Sequence, residues 1–227
     1  MNFDAWEPVY ESILSDFGYP REGDERARDA VAAYATPFDF DRLDAAGDEV
    51  AIVGAAPSLP SAVDRVAGAD RVFAASTAAD VVREAGYNLD LLVTDLDKNP
   101  GTAVELARAG TPVAAHAHGD NVPLVEEWVP RCDPDHLLAT TQAAPVDAVY
   151  NAGGFTDGDR AAFLADDLGA AGLRFVGWDF DDPEVSAAKA RKLAWAERLL
   201  HLLERRRGER FDVLDGRRDG IEPIPTR

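Results

Sequence analysis

Residues 90–121, DLLVTDLDKNPGTAVELARAGTPVAAHAHGDN, decide the fold of this chain. Two short apolar runs, DLLVTD and TPVAAHAHG, lie on either side of a segment whose apolar positions are spaced as in a helix. Neither run alternates between polar and apolar residues, which is typical of a strand buried on both faces. The stretch therefore predicts a strand, a helix and a second strand parallel to the first.

The same pattern recurs from residue 48 to the end of the chain. Further strand-like runs are EVAIVG, RVFAAS, HLLATTQ and LRFVGWDF. Helices are predicted at 79–85, 102–109, 122–129, 156–168 and 184–207, and one more strand is predicted in the tail RFDVLDGRRDGIEPIPTR. The alternation predicts an α/β fold, a doubly wound and mostly parallel sheet flanked by helices.

The first 45 residues have a different texture. DAWEPVYESILSDFG and DERARDAVAAYA both carry apolar positions at helical spacing between turn signals. A chain of 227 residues is long enough for one sizeable core with an appendage. We therefore expect an N-terminal helical segment at 1–45 and an α/β catalytic domain at 46–227.

The charge balance limits the partners. Aspartate and glutamate number 42 against 23 lysines and arginines, a net charge of −19 that argues against binding to nucleic acid or an anionic membrane. Lysine occurs only at Lys98, Lys189 and Lys192, and an acidic, lysine-poor surface resembles that of proteins adapted to concentrated salt. No apolar run is long enough to span a bilayer and no signal peptide is recognisable, so a cytoplasmic location is expected. The single Cys132 is expected to be a packing residue.

Polar clusters follow two of the predicted strands. In an open α/β sheet, ligands bind beyond the carboxyl ends of the strands, so clusters twenty residues apart in sequence should meet at one edge. Asp95 and Asp97 are two residues apart and project together from an extended backbone, as suits Mg²⁺ with substrate phosphates. The alternative is an ordinary surface turn, since DLDKNPG also has the composition of a loop.

The second cluster is HAHGDN. His116 and His118 point to the same side of an extended chain and could hold a transition metal, although no third soft ligand is evident. We favour polar lining for both histidines, with Asp120 on metal or phosphate and Asn121 close to a helix start. A helix cap is the alternative role for Asp120 or Asn121.

Two loops are candidates for phosphate binding. GAAPSLPSA, with Gly54, Pro57 and Ser58, follows the first strand and leads into a helix, but it lacks the glycines and lysine of the known nucleotide-binding motifs. NAGGFTDGDRA contains Gly153 and Gly154, which allow a close backbone approach.

The helix that follows the second loop has its own start signal. Thr156 and Asp159 are spaced as a capping box, which is a sufficient structural explanation for both. Asp157 and Arg160 are not explained in this way, and Asp157 is a candidate for contact with substrate.

The last strand ends in GWDFDDPE. Asp179 is a ligand candidate there, and Trp178 and Phe180 belong either to an aromatic substrate site or to the core. Lys189 and Lys192 are three residues apart on the next helix and so share a face. They could neutralise phosphate, or they could lie on a solvated surface.

Taken in order, GAAPSL, TDLD, HAHGDN, GGFTDGDRA and GWDF resemble the archaeal 6-hydroxymethyl-7,8-dihydropterin pyrophosphokinases, whose catalytic fold is similar to that of thiamin pyrophosphokinase. The resemblance covers nearly the whole chain. It implies Mg²⁺-dependent transfer of diphosphate from ATP to the hydroxymethyl group of a reduced pterin, with release of AMP, in folate or methanopterin synthesis.

The resemblance also implies roles for single residues. Asp95 and Asp97 would hold magnesium, and Asp120 and Asn121 would join the nucleotide site. Asp95, Asp97 and Asp120 are the candidate catalytic and metal-binding residues. The Gly54 loop and the Gly153–Gly154 turn would approach phosphates. One departure is Lys98, because related sequences often have glycine at this point; a lysine there could itself contact a phosphate.

The same residues are compatible with two other functions. Asp-x-Asp after a strand is also how nucleotide-sugar glycosyltransferases hold a metal, and a non-catalytic nucleotide-binding protein could carry the same clusters as ordinary turns. The partners expected are ATP and a reduced pterin, with no nucleic acid and no membrane, while homo-oligomerisation is left open. His116, His118 and Asp120 are candidates for a general base.

Overall fold

The computed structural model describes residues 1–224 and contains one six-stranded sheet in which every neighbouring pair of strands is parallel. The strand order is β5-β4-β3-β2-β1-β6. The strands are β1 Glu49–Val53, β2 Arg71–Ala75, β3 Leu91–Thr94, β4 Val113–Ala117, β5 Leu137–Thr141 and β6 Gly172–Val176. The predicted α/β fold is confirmed, and the six predicted strands are all present.

The strand order creates a switch point at β1. The chain moves from β1 to β5 in one direction and then returns to add β6 on the other side of β1. Ile52 of β1 lies level with Phe73 of β2 and with Phe175 of β6. Ligands of such sheets bind beyond the carboxyl ends of the strands where the connections diverge, which here is between β1 and β6.

Helices cover both faces of the sheet. Helices α2 Arg21–Ala32, α3 Leu59–Ala62, α4 Ala78–Glu84, α5 Pro100–Ala109 and α6 Val122–Trp128 pack on one face, and α1 Phe3–Phe17, α7 Asp157–Asp167 and α8 Ala187–Arg207 pack on the other. The predicted helices agree with α4 to α8 within a few residues. Both faces of the strands are buried, which explains why the strand sequences are apolar without alternation.

The N-terminal helices are built into these layers. Trp6 and Tyr10 of α1 are fully buried in the core on the α7 face. The Trp6 indole donates a hydrogen bond to the Gln142 carbonyl at 3.0 Å and packs edge-on against Phe163. The predicted helices are thus present and share their cores with the sheet, while the domain boundary at residue 45 stays a prediction.

The tail after α8 differs from the sequence prediction. Within residues 208–224 it forms two short 3₁₀ turns, Asp212–Leu214 and Arg218–Gly220, so the predicted extra strand is wrong there. Arg218 donates to Glu204 on α8 at 2.9 Å and to the Phe211 carbonyl at 2.7 Å, and these bonds fold the tail back on α8. Residues 225–227 of the predicted strand segment lie outside the described residues.

Two smaller expectations concern membranes and the thiol. Among the described residues, no helix has the length and apolar character needed to cross a bilayer. Cys132 is buried without a disulfide partner, and burial raises the pKa of its thiol to about 11. A thiol in this state is unreactive, as expected of a packing residue.

Candidate active site

A cavity of about 400 Å³ runs along the carboxyl ends of the strands, and all six strands contribute to its lining. In sheet order the contributions are Gln142 after β5, His118 to Asp120 after β4, Asp95 and Asp97 after β3, Ser76 after β2, Gly54 to Pro57 after β1, and Gly177 to Asp179 after β6. The prediction that the two polar clusters meet at one edge is therefore confirmed.

The acidic pair follows β3 in a tight turn. Leu96, between the two aspartates, is buried with a φ of 67°, and its N–H donates to the Thr94 hydroxyl at 3.0 Å. This turn brings the Asp97 N–H to 3.2 Å from Asp95 Oδ1. The two carboxylates thus lie together at the sheet edge, as their spacing predicted.

The pKa values of the two aspartates are shifted in opposite directions. Burial, together with the hydrogen bond and charge of Asp95, raises the pKa of Asp97 to about 6. Burial acts in the same direction on Asp95, but hydrogen bonds with His118 and Asp97 outweigh it and hold the pKa of Asp95 below its usual range. Two close carboxylates behave in this way, and a hard divalent cation with water and phosphate ligands would suit them.

The predicted third metal ligand is Asp120, which is more exposed than Asp95. Asp120 lines the cavity but is exposed. The described residues contain no group of three histidine, cysteine, aspartate or glutamate side chains positioned to share one ion. Asp95 and Asp97 therefore offer two protein ligands, and binding of Mg²⁺ by them, with or without Asp120, stays a prediction.

The two histidines differ in access to the cavity. Their rings stack with centroids 6.2 Å apart, so they point to the same side as predicted. His118 lines the cavity, with Nε2 3.7 Å from Asp95 Oδ2. His116 is buried inside β4, where its Nδ1 lies 3.1 Å from the Thr140 hydroxyl and burial lowers its pKa well below the usual value. His116 therefore lies beneath the lining rather than on it.

Asn121 also lies below the lining. Its Nδ2 donates to the carbonyls of Asp95 at 2.9 Å and His116 at 2.7 Å, and its Oδ1 accepts from the His118 N–H at 2.9 Å. These bonds use both amide hydrogens and the carbonyl. The side chain that was predicted to join the nucleotide site instead ties the ends of β3 and β4 together.

All three lysines of the chain line this cavity: Lys98, Lys189 and Lys192. Most arginines pair with a carboxylate, yet within residues 1–224 none of the lysines forms an ion pair. Burial and the nearby charge of Lys98 lower the pKa of Lys189. Arg26 also lines the cavity and, among the described residues, has no ion pair, which makes four unpaired cations. In an acidic chain, such a group of cations would suit a polyanion.

The loop after β1 is held against the end of β6. A Cβ on Gly54 would lie 2.6 Å from the Gly177 carbonyl, so only glycine allows this approach. Asp179 accepts hydrogen bonds from the Ser58 N–H at 3.0 Å and hydroxyl at 2.7 Å. Pro57 and Asp179 line the cavity, whereas Ser58 is turned to Asp179. Since α3 is a single turn, the helix dipole expected behind this loop is small.

Trp178 forms part of the same wall. Its indole donates to the Ile52 carbonyl at 3.0 Å, and its ring lies so close to Gly158 that a Cβ there would be 2.7 Å from it. The sequence left open whether this tryptophan belongs to the core or to the site. It packs against the core and lines the cavity.

The Gly153–Gly154 turn has a packing role. Both residues have φ near 95°, and a Cβ on Gly154 would lie 2.4 Å from the Arg160 Cα. Neither lines the main cavity, so the close approach that was predicted for phosphates is made to α7 instead. The capping box of Thr156 and Asp159 at the start of α7 is confirmed.

Asp157 does line the cavity. It accepts a hydrogen bond from Arg160 at 2.9 Å, and its side chain is largely buried. Burial and the negative charge of Asp95 raise the pKa of Asp157 to about 7, against the opposing charge of Arg160. Asp157 is thus a third carboxylate whose pKa is raised by burial and by the charges of Asp95 and Asp97.

Sequence reasoning missed one wall entirely. Tyr19, Gly23, Asp24 and Arg26, from the turn between α1 and α2 and the start of α2, line the cavity beside Gln142. Gln142 carries the same strand-end signal as Asp95 and could have been found by it. An aspartate in an acidic helix carries no such signal, and only the docking of α2 places Asp24 here.

Comparison with known proteins identifies the family of this chain. Residues 31–185 match the model of the family described as 6-hydroxymethylpterin diphosphokinase MptE-like. A 6-hydroxymethyl-7,8-dihydropterin pyrophosphokinase of Methanothermobacter thermautotrophicus is 35% identical over 225 residues, covering 90% of this chain and 96% of that protein. The protein of the same name from Pyrococcus furiosus is 36% identical, covering 90% and 95%. The chain therefore belongs to the MptE-like 6-hydroxymethylpterin diphosphokinase family.

Proposed function

We propose that this chain is an enzyme that transfers the terminal diphosphate of ATP to the hydroxymethyl group of 6-hydroxymethyl-7,8-dihydropterin and releases AMP. One observation carries the proposal: the chain has only three lysines, and all three line the same cavity as Asp95 and Asp97. The names of the relatives supply the pterin and the reaction type.

The reaction needs no nucleophilic side chain. The pterin hydroxyl oxygen attacks the β-phosphorus, the bond from that phosphorus to the oxygen bridging to the α-phosphate breaks, and AMP leaves with the electron pair. Catalysis of this kind consists mainly of alignment and charge stabilisation. Lys98, Lys189 and Lys192 would hold the triphosphate, and Mg²⁺ at Asp95 and Asp97 would supply further positive charge.

The proton of the attacking hydroxyl must also leave. Of the three candidates for a base, His118 and Asp120 line the cavity, while His116 is buried beneath it. His118 Nε2 lies 3.7 Å from Asp95 Oδ2 and is therefore next to the acidic pair. We therefore assign proton acceptance to the His118 side of the cavity.

The test is an assay for AMP. We expect AMP and pterin diphosphate in equal amounts only when ATP, the dihydropterin and Mg²⁺ are all present, and no turnover in EDTA. Asp95→Asn and Asp97→Asn should each lower kcat about 100-fold or more, since each removes a charge that acts on the transferring group.

The matched control is Asp219→Asn, which removes an exposed carboxylate that does not line the cavity. It should leave kcat unchanged, and thermal melts should show that all the variants fold. Normal turnover in both Asp95→Asn and Asp97→Asn would contradict the proposal. Release of a nucleoside diphosphate from a nucleotide sugar, with no AMP from ATP, would support a glycosyltransferase instead.

A further inference from the structure

The end of the cavity at β4 and β5 has a buried polar floor. Asp24 of α2 is buried, and its Oδ2 accepts hydrogen bonds from the Tyr10 hydroxyl at 2.8 Å and from Gln142 Nε2 at 2.7 Å. Its Oδ1 accepts one hydrogen bond, from the Gly119 N–H at 2.8 Å. Asp24, Gln142 and Gly119 line the cavity, whereas Tyr10 does not.

Among the described residues, the floor has spare acceptors on both side chains, and its one spare donor is the second N–H of Gln142. A carboxylate in this network can only accept, so the NH₂ group of Gln142 must be the part that faces Asp24, and its Oε1 must point elsewhere. Gln142 is 5% exposed, and among residues 1–224 nothing donates to its Oε1. Asp24 Oδ1 also retains one unused lone pair. Asp24 and Gln142 both line the cavity, so a ligand there can donate to these oxygens.

The chemistry of the two substrates distinguishes between the ends of the cavity. A pterin presents two neighbouring donors, the ring N3–H and the 2-amino group, whereas the ring edge of adenine has no two adjacent donors. The geometry points to Asp24 and Gln142 as the pterin-recognition subsite, which accepts the 2-amino-4-oxopyrimidine edge. This inference rests on the proposed function and assigns the substrates to the two ends of the cavity.

The rest of the cavity agrees with this orientation. Tyr19, one of the most exposed aromatic side chains at 40%, lines the same wall and stacks on Phe17 with centroids 5.2 Å apart, so it offers a flat face to a planar ring. The nucleoside of ATP would then bind beside Gly54 and Trp178, at the switch point between β1 and β6. The acidic pair of β3 lies between these ends in the order of the strands.

The test separates loss of an acceptor from loss of an Asp24 partner. Gln142→Met removes the free Oε1 and one donor to Asp24, while Tyr10→Phe removes only a donor to Asp24 from outside the cavity. The complete chain is titrated by calorimetry with 6-hydroxymethyl-7,8-dihydropterin and, separately, with α,β-methylene-ATP and Mg²⁺. We expect Gln142→Met to bind the pterin at least about tenfold more weakly, with affinity for the ATP analogue within about twofold.

Tyr10→Phe should bind the pterin within about threefold of wild-type affinity, even if its melting temperature falls as much as that of Gln142→Met. A folded Gln142→Met protein that binds the pterin like wild type, or an equal loss in both variants, would overturn the subsite while leaving the proposed function intact. Wild-type protein that binds no pterin and forms no AMP would overturn both.

A second measurement needs no variant. Guanosine shares the 2-amino-4-oxopyrimidine edge with the pterin, and adenosine does not. In the wild-type protein, guanosine should displace bound dihydropterin at concentrations where adenosine does not. Displacement by adenosine alone, or by both nucleosides equally, would place a purine site at this end and contradict the inference.

Discussion

Asp157 and Asp97 are carboxyl groups that folding places where a negative charge is unfavourable. Burial, with the charge of Asp95, raises the pKa of Asp157 to about 7, and burial and Asp95 raise the pKa of Asp97 to about 6. In the unfolded chain an aspartate has a pKa near 3.9. The folded protein therefore binds more protons than the unfolded one between these values, and its free energy of unfolding falls as pH rises through that window.

Replacing Asp157 with asparagine tests this directly. The contribution of Asp157 to stability is fully present below about pH 4 and is lost as pH rises through 7, so wild type should lose stability relative to Asp157→Asn between pH 5 and 8. One pKa unit corresponds to about 1.4 kcal/mol. Melting temperatures of both proteins in EDTA would show the difference, with Asp219→Asn, which removes an exposed carboxylate, as the control. A difference between wild type and Asp157→Asn that does not change with pH would contradict the argument.

At the scale of elements, α8 carries two of the three lysines into the cavity. Lys189 and Lys192 lie near the start of this helix, which begins beyond the end of β6. We expect Lys189→Ala/Lys192→Ala to weaken binding of ATP about tenfold or more, roughly 1.4 kcal/mol, because two phosphate-facing charges are lost. Affinity for the pterin should be nearly unchanged. Separate calorimetric titrations of the two ligands would measure both effects.

The same helix provides the control for that pair. Arg205 and Arg206 are exposed, lie in the last turn of α8 and do not line the cavity. Arg205→Ala/Arg206→Ala removes the same number of charges from the same element and should leave ATP affinity within about twofold. If both double variants weaken ATP binding equally, the effect is one of net charge and the lysines have no special role.

Helix α1 matters for stability rather than for ligands. Trp6 is fully buried and packs on Phe163 of α7. Trp6→Ala should lower the free energy of unfolding by about 3–5 kcal/mol, as expected for an aromatic side chain removed from a core. Tyr34→Ala, at an exposed position, should stay within about 0.5 kcal/mol of wild type. Urea unfolding would compare the two, and a small effect at Trp6 would mean that α1 is an appendage.

The sequence predicts features that depend on neighbouring residues, and it does not predict features that depend on how distant elements pack. The six strands and the acidic pair were predictable, because apolar runs and a carboxylate two residues from another are local patterns. The wall made by Asp24 depends on the docking of α2, and no local pattern carries that information. His116 and Asn121 were assigned to the site because the sequence does not show whether a polar side chain at a strand end faces the cavity or the chain beneath it.

At the scale of the whole molecule, the surface carries charge that the fold does not neutralise. The net charge is −19, and most arginines are already engaged with carboxylates. Among the described residues, exposed acids such as Glu84, Glu126 and Asp219 have no ion-pair partner. Their mutual repulsion destabilises the compact state and is screened by salt.

The melting temperature should therefore rise with KCl from about 0.1 M to 1 M, over which the Debye length falls from about 10 Å to about 3 Å. Salt also strengthens burial of apolar surface, so the curve alone does not identify the cause. The triple variant Glu84→Gln/Glu126→Gln/Asp219→Asn should melt higher than wild type at 0.1 M KCl and approach it at 1 M. Its partner, Glu84→Asp/Glu126→Asp/Asp219→Glu, changes the same three positions but keeps the charge, and should follow the wild-type curve. Parallel curves for all three proteins would assign the salt effect to apolar burial instead of to carboxylate repulsion.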